Sequence, residues 1–170
     1  MAEQDLQAAI VNLAKPSLVD GYPNFEQSAK EISDLILAAP IPADVAQEIQ
    51  AAYENLKTED QPVAVRSSAN AEDLPGLSFA GQQETFLNVR GSAYVVEAVR
   101  KCWASLWTAQ AMSYRHQNGI PHDSVVMAVV VQIMVPSEVS GILFTANPAT
   151  GERSELIAVS YTHLRAHETS

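Results

Sequence analysis

Arg66 is the charged residue whose neighbours best suit a ligand. It follows a short apolar run and directly precedes two serines, Ser67 and Ser68. A guanidinium offers a planar fork of donors, and hydroxyl and backbone N–H groups beside it suit phosphate oxygens. A salt bridge from Arg66 to Glu72 or Asp73 is the alternative, and the spacing alone favours that alternative.

A second candidate segment, "FAGQQET", lies a little further along the chain. Gly81 would let a ligand approach the backbone closely, and amide and hydroxyl side chains follow it at Gln82, Gln83 and Thr85. The spacing matches neither a P-loop nor the G-x-G-x-x-G fingerprint. A glycine in a β-bulge or hairpin explains Gly81 equally well.

A third candidate is the polar residue Gln132 within an apolar run. Its amide needs a partner or a cavity, or else it marks the point where the strand reaches the surface. The run from Gln132 through Ile133 and Met134 to Val135 could line an adenine pocket, with the thioether packed on the base. The simpler interpretation is that the strand reaches the surface at Gln132.

The remaining candidates favour structural roles. His116 and His122 flank a helix stop without a third ligand at metal spacing, which favours solvated loop histidines. Trp103 and Trp107 lie four residues apart on a helix, which favours packing over a stacking platform.

Composition narrows the class of protein. The 170 residues are 47% hydrophobic, enough for one modest domain or a lobe of a larger one. A net charge of −10 argues against nucleic acid or an anionic membrane as partner. One cysteine excludes an internal disulfide and suits a reducing cytoplasm. The polar N-terminus is unlike a signal peptide, and the longest apolar run is too short to span a bilayer.

Hydrophobic periodicity predicts an all-helical front end. Helices are expected over residues 3–14 and 25–38, and Ile41-Pro42 opens a third. Turns are expected at Asp20-Gly21 and Ala39-Pro40. The third helix should bury one apolar face, made of Val45, Ile49, Ala52 and Leu56.

From residue 62 onward the pattern predicts a sheet with a covering helix. One strand should end at Arg66, and a second should follow the polar loop over 84–89. A long helix capped by Ser92 should then run through Met112 and stop at Asn118-Gly119. Residues 124–135 indicate a strand buried on both faces, and 140–152 a strand ending in a turn.

These elements predict an α+β fold with a mixed or antiparallel sheet. We expect a helical segment over 1–60 and a strand-rich lobe over 61–158. Residues 159–170, "VSYTHLRAHETS", resemble a translated sequencing adapter, so we expect them to be a non-native tail.

Three motifs in order carry a family resemblance: "VAVRSSANAEDLPGLSFAGQQETFLNVRG", "KCWASLWTAQAMSYR" and "VVVQIMVPSEVSGILFTANPATGE". Together they resemble the ATP-grasp-type nucleotide-binding domain shared by phosphoenolpyruvate synthase (pyruvate, water dikinase), pyruvate, phosphate dikinase and rifampicin phosphotransferase. The resemblance is dense from Pro62 to about Glu155 and loose over the helical front end.

The resemblance implies a cytoplasmic phosphotransferase domain that binds ATP and phosphorylates a histidine on a separate domain, from which phosphate reaches pyruvate or an antibiotic hydroxyl. It places Arg66 on the phosphates, as the catalytic residue. It also places Ser67, Gly81, Gln82, Gln83 and Thr85 over them, and residues 132–135 beside adenine. It further implies a lysine-bearing glycine-rich segment and acidic Mg²⁺ ligands outside these 170 residues, so we expect no metal ligand within them.

We therefore expect an incomplete piece of a phosphoenolpyruvate synthase-like enzyme, inactive alone. The alternatives are a piece of a rifampicin phosphotransferase and a stand-alone nucleotide-binding module without catalysis. A truncated lobe should also expose an apolar patch beside residues 141–145.

Overall fold

The computed structural model describes residues 3–56, 61–69 and 84–161, and it describes no side chains for 3–5 and 160–161. The chain divides into two compact units, Met1–Met134 and Val135–Ser170. The fold is α+β, as the sequence predicts, and its strands pair antiparallel. The boundaries expected at 60 and 158 stay predictions.

Three helices form at the positions that periodicity indicates: α1 Glu3–Leu13, α2 Glu26–Ala38 and α3 Ala43–Leu56. The expectation of an all-helical front end is wrong, because β1 Ser17–Val19 and β2 Tyr22–Asn24 form a hairpin between α1 and α2. These strands have three residues each and are largely exposed, so they leave no alternating pattern in the sequence.

The apolar face predicted for α3 is only partly buried. Ala52 is exposed and Leu56 is 37% exposed, whereas Tyr53 is 3% exposed. The Tyr53 hydroxyl accepts a hydrogen bond from the Gly91 N–H at 2.9 Å, which ties α3 to the start of the next helix. The helix therefore packs through Tyr53, and its predicted apolar face lines an open groove.

The central sheet has the order β4-β3-β5, with β3 Val63–Ala69, β4 Thr85–Val89 and β5 Met127–Ile133. Arg66 pairs with Thr85 on one side and with Val130 on the other. The expectation that the first strand ends at Arg66 is wrong. The ladder to β5 continues to Ala69, so both serines after Arg66 lie in the strand.

The prediction that the strand over 124–135 is buried on both faces is also wrong. Exposure alternates along β5: Val129 and Val131 are partly buried, whereas Val130 is 46% exposed and Gln132 is exposed. Only one face of the sheet is covered by helices within the described residues, so a wholly apolar strand has one face open.

The long helix predicted from Ser92 is two helices, α4 Ser92–Ser105 and α5 Ala109–Gln117. The N-cap of α4 is Gly91, which makes no side-chain cap bond. Thr108 caps α5 by accepting a hydrogen bond from the Ala111 N–H at 3.2 Å. The stop at Asn118-Gly119 is confirmed, with Gly119 at a φ of 66°.

The two cap positions give a paired prediction. We expect Thr108→Ala to lower the free energy of unfolding by about 1 kcal/mol, because it removes the hydroxyl that satisfies a helix N–H. Ser92→Ala should change it by less than about 0.5 kcal/mol, since the cap residue of α4 is Gly91 and Ser92 lies within the helix. Urea unfolding of both variants measures the difference. Equal losses would contradict the break between α4 and α5.

Two clusters make up most of the core of the first unit. The first joins α1, α2 and the α4–α5 region, and it contains Ile10, Ala14, Phe25, Ile32, Ile36, Ala104 and Met112. The second lies between the sheet and the helices α3 and α4, and it contains Tyr53, Val63, Val65, Val95, Ala98, Val99 and Cys102. Trp103 and Trp107 pack against these clusters, which confirms their predicted packing role.

The second unit contains a hairpin of β6 Ser140–Phe144 and β7 Ile157–Tyr161. Asn147 organises its turn, since its side-chain oxygen accepts from the N–H groups of Ala149 and Thr150. The strand ending in a turn is thus confirmed. β7 was not predicted, and it includes three residues of the segment expected to be a tail. Apolar side chains of β6 are exposed, with Ile142, Leu143 and Phe144 at 49%, 62% and 37%. Successive strand residues project from opposite faces, so the single apolar patch expected beside residues 141–145 stays a prediction.

Candidate functional site

The open face of the β4-β3-β5 sheet brings three of the predicted site residues together. Antiparallel partners project from the same face, and neighbouring residues along a strand alternate between faces. Arg66, its partner Thr85 and the β5 residue Gln132 are all exposed, whereas Val63, Val65 and Val131 face α4. A cation, a hydroxyl and an amide therefore share one solvent-facing surface.

Arg66 lies at the middle of this face. Among the residues that the structure describes, no carboxylate lies within ion-pair distance of its guanidinium. The alternative partners Glu72 and Asp73 lie outside the described residues. The guanidinium is therefore presented to solvent with its fork of donors available to an anion within this part of the chain.

Ser67 has a different position from Arg66. It is partly buried, and its hydroxyl donates to the Glu84 carbonyl oxygen at 3.1 Å, which also accepts from the Ser67 N–H at 3.2 Å. These two bonds fasten the residue before β4 to β3. They fix the strand ends on either side of residues 70–83. Gly81, Gln82 and Gln83 lie outside the described residues.

The segment after Gln132 crosses the end of the sheet. The Met134 N–H donates to the Pro62 carbonyl oxygen at 2.9 Å, and its Sδ accepts from the Asn88 N–H at 3.1 Å. Asn88 has a φ of 59° beside an irregularity in the β3–β4 register, so its N–H is free of the regular ladder. Ile133 is partly buried, and Val135 is 78% exposed.

Gln132 is exposed, so its amide needs no buried partner. Its side chain reaches solvent at the edge strand β5, opposite the buried Ala64. Sequence reasoning treated the amide and Arg66 as separate signals. The strand register places them on one surface.

Burial disfavours ionisation of the cysteine on the covered side of the sheet. Cys102 is fully buried, and desolvation, with a smaller contribution from Glu84, raises the pKa of its thiol to about 11. A thiol with that pKa stays protonated at neutral pH, and it therefore acts as a small core side chain.

Sequence reasoning missed one polar cluster, at the α4–α5 junction. His122 was predicted to be a solvated loop histidine, but it is partly buried and its Nδ1 accepts from Arg115 Nε at 3.0 Å. Arg115 is fully buried although it is charged. A guanidinium in a helix sequence is ordinarily exposed, so nothing in the pattern marked it. His116 is exposed, as predicted.

Comparison with known proteins assigns the family. The family model described as "Pyruvate phosphate dikinase, AMP/ATP-binding domain" matches residues 1–163. The chain belongs to this dikinase nucleotide-binding family. The match covers both described units and every residue of the open sheet face.

Individual relatives agree with this assignment. The chain is 46% identical over 156 residues to the phosphoenolpyruvate synthase of Pyrococcus furiosus, covering 89% of this chain and 19% of that protein. It is 45% identical over 163 residues to the enzyme of the same name from Aeropyrum pernix, covering 93% and 20%. It is 50% identical over 128 residues to the rifampicin phosphotransferase of Bacillus cereus, covering 75% and 15%. The chain thus spans about a fifth or less of these relatives' length.

The chain has larger concave surfaces elsewhere. Cavities of about 1020 and about 560 Å³ are lined mainly by apolar side chains of the helices and of β5, and neither is lined by Arg66. Apolar walls do not hold a polyphosphate. The chemistry therefore favours the open sheet face over these cavities as the candidate site.

Potential metal-binding side chains do not cluster among the residues that the structure describes. Over 3–56, 61–69 and 84–161, no three acidic, histidine or cysteine side chains come together in a way that could hold a metal ion. The helices in the same ranges include none that is long and apolar enough to cross a membrane.

Proposed function

We propose that the open face of the β4-β3-β5 sheet is one wall of an ATP site and that Arg66 holds the phosphates there. The observation that carries this proposal is the position of Arg66. It lies in mid-strand, exposed, beside Thr85 and on the same face as Gln132, in a chain of the AMP/ATP-binding family.

Charge supports this role for Arg66. ATP carries several negative charges, and phosphoryl transfer depends mainly on positioning and charge neutralisation. A protein with a net charge of −10 repels such a ligand over most of its surface, so it needs a local cation. An arginine fork on a rigid strand supplies two parallel hydrogen bonds as well as the charge.

The remaining site residues complete the proposed wall. Gly81, Gln82 and Gln83 would lie over the phosphates between the strand ends that the Ser67–Glu84 hydrogen bonds fix. The segment from Gln132 to Val135 would border adenine, in an ATP-grasp-like arrangement. The Met134–Asn88 contact holds that segment against the end of β4.

The larger reaction that we propose follows the family. Phosphate from ATP would pass to a histidine on a separate domain and from there to pyruvate, giving phosphoenolpyruvate. Mg²⁺ would neutralise charge on ATP, with ligands from other parts of the full-length enzyme. Since a rifampicin phosphotransferase is 50% identical over 128 residues, an antibiotic hydroxyl is the second candidate acceptor.

A chimera tests this function. The 156 residues of the Pyrococcus furiosus phosphoenolpyruvate synthase that match this chain would be replaced by the corresponding residues of this chain. We expect the chimera to bind ATP and to form phosphoenolpyruvate from pyruvate and ATP. The isolated chain should bind ATP weakly or not at all and should not phosphorylate a histidine-bearing domain.

Three results would count against the proposal. A folded chimera that fails to bind ATP would contradict the nucleotide site. A chimera that binds ATP without transferring phosphate would contradict the proposed transfer only. Phosphorylation of a histidine-bearing domain by the isolated chain would contradict the proposal that other parts of the full-length enzyme complete the ATP site.

A further inference from the structure

A buried guanidinium lies at the junction of α4, α5 and the 3₁₀ turn His122–Ser124. Arg115 is 0% exposed, and its Nη1 donates to the Leu106 carbonyl oxygen at the end of α4 at 2.7 Å. Its Nε donates to His122 Nδ1 at 3.0 Å, and its guanidinium carbon lies 5.2 Å from the Trp107 ring centroid. Its Nη2 is buried and has no hydrogen-bond partner among the residues that the structure describes.

This guanidinium is held by neutral groups. A carbonyl oxygen, an imidazole nitrogen and an indole face surround it, and its burial lowers the pKa of Arg115 to about 10. A carbonyl at a helix C-terminus carries partial negative charge, which stabilises the cation. The imidazole can contribute only while it is neutral, because a protonated imidazole has donors at both nitrogens.

His122 is itself held in place by neighbouring rings. Its ring centroid lies 5.7 Å from that of Phe25, at the start of α2, and 6.4 Å from that of Trp107. The charged or titratable side chains whose fields reach it are Arg115 and His116 from α5 and Asp123 from its own turn. Phe25 and Trp107, from the other two elements packed on it, contribute uncharged rings.

We propose that Arg115 and His122 form a pH-sensitive latch that fastens the segment between α5 and β5. With His122 neutral, the latch is closed. When His122 takes up a proton, the hydrogen bond from Arg115 Nε is lost and two cations face each other in a partly buried site. The latch then opens and the segment 118–126 is released from α5.

The direction of the pH dependence follows from the proton balance. Burial and the neighbouring Arg115 lower the pKa of His122 below its ordinary value of 6.5. The released state therefore binds a proton more readily than the closed state. The latch is fully closed above pH 6.5, and it weakens as the pH falls through the lowered pKa.

Amide hydrogen exchange on the full chain tests the latch. The Ile120 N–H donates to the Arg115 carbonyl oxygen at 2.9 Å and reports on the segment, whereas the buried α4 residue Val99 serves as reference. We expect the protection factor of Ile120 to fall relative to that of Val99 between about pH 7.5 and about pH 5.5. His122→Gln, whose amide oxygen accepts a hydrogen bond but does not titrate, should abolish this fall. The exposed neighbour is the control, so His116→Gln should retain it.

The proposal would be overturned if the ratio of the Ile120 and Val99 protection factors in the unmodified chain did not change with pH. It would also be overturned if the protection factor of Ile120 fell as much in His122→Gln as in the unmodified chain. Should His122→Gln not fold, ¹⁵N NMR titration of the unmodified chain decides. The latch requires an unprotonated His122 Nδ1 at neutral pH and a His122 pKa below that of an unfolded chain. A protonated Nδ1, or a pKa at or above the ordinary value, would overturn it.

Discussion

Arg66→Ala in the chimera should weaken ATP binding by about 10- to 100-fold. Hydrogen bonds to a charged group contribute about 1.5–3 kcal/mol, and each 1.4 kcal/mol is about tenfold in affinity. Arg66 lies in the middle of β3 with strands on both sides, so its truncation should leave the sheet intact. Isothermal titration calorimetry with ATP measures the loss.

Two further variants separate geometry from charge. Arg66→Lys keeps the cation but removes the planar fork, so we expect an intermediate affinity. Lys101→Ala removes one positive charge from an exposed position on α4, whose helix packs on the opposite face of the sheet. It should leave the affinity almost unchanged. If Lys101→Ala costs as much as Arg66→Ala, general electrostatics and not a phosphate contact explains binding.

Phe25→Ala should lower the free energy of unfolding by about 3–5 kcal/mol. Phe25 is 1% exposed in the first core cluster, and its ring meets the edges of His116 and His122 at 5.5 and 5.7 Å between centroids. The substitution leaves a cavity and also removes support from the Arg115–His122 pair. The free energy of unfolding of a whole domain is about 5–15 kcal/mol, so this substitution should remove a large fraction of it.

Urea unfolding followed by circular dichroism measures this loss. Tyr94→Ala is the matched control, because Tyr94 is 72% exposed on α4. The control should change the free energy of unfolding by less than about 0.5 kcal/mol. A loss below about 1 kcal/mol for Phe25→Ala would contradict the packing of the first cluster.

The sequence predicts where α1, α2 and α3 form, because apolar residues recur in them at helical intervals. It does not predict the break between α4 and α5, since the apolar periodicity passes through it and only the Thr108 cap marks it. The β1–β2 hairpin is too short and exposed to leave a pattern. Local signals thus define the elements, and tertiary packing decides where two neighbouring helices separate.

The errors in the sheet come from interpreting residue type without the strand register. The expectation that β3 ends at Arg66 assigned the following serines to a loop, and the expectation that β5 is doubly buried assigned all its apolar residues to the core. The open face accepts polar and apolar residues alike, so Arg66 and Val130 lie side by side on it, whereas Ser67 stays in β3 through its hydrogen bonds to the Glu84 carbonyl oxygen. Residue types therefore indicated Arg66, Thr85 and Gln132 as candidates. Their common face depends on strand register, which no local pattern carries.

We propose above all that Arg66 on the open sheet face contacts the phosphates of ATP. A crystal structure of the chimera with a non-hydrolysable ATP analogue tests it most directly. We expect phosphate oxygens within about 3 Å of the Arg66 guanidinium nitrogens, with the polyphosphate lying along the face that Thr85 and Gln132 share. A polyphosphate bound elsewhere, with Arg66 paired instead to Glu72 or Asp73, would contradict it.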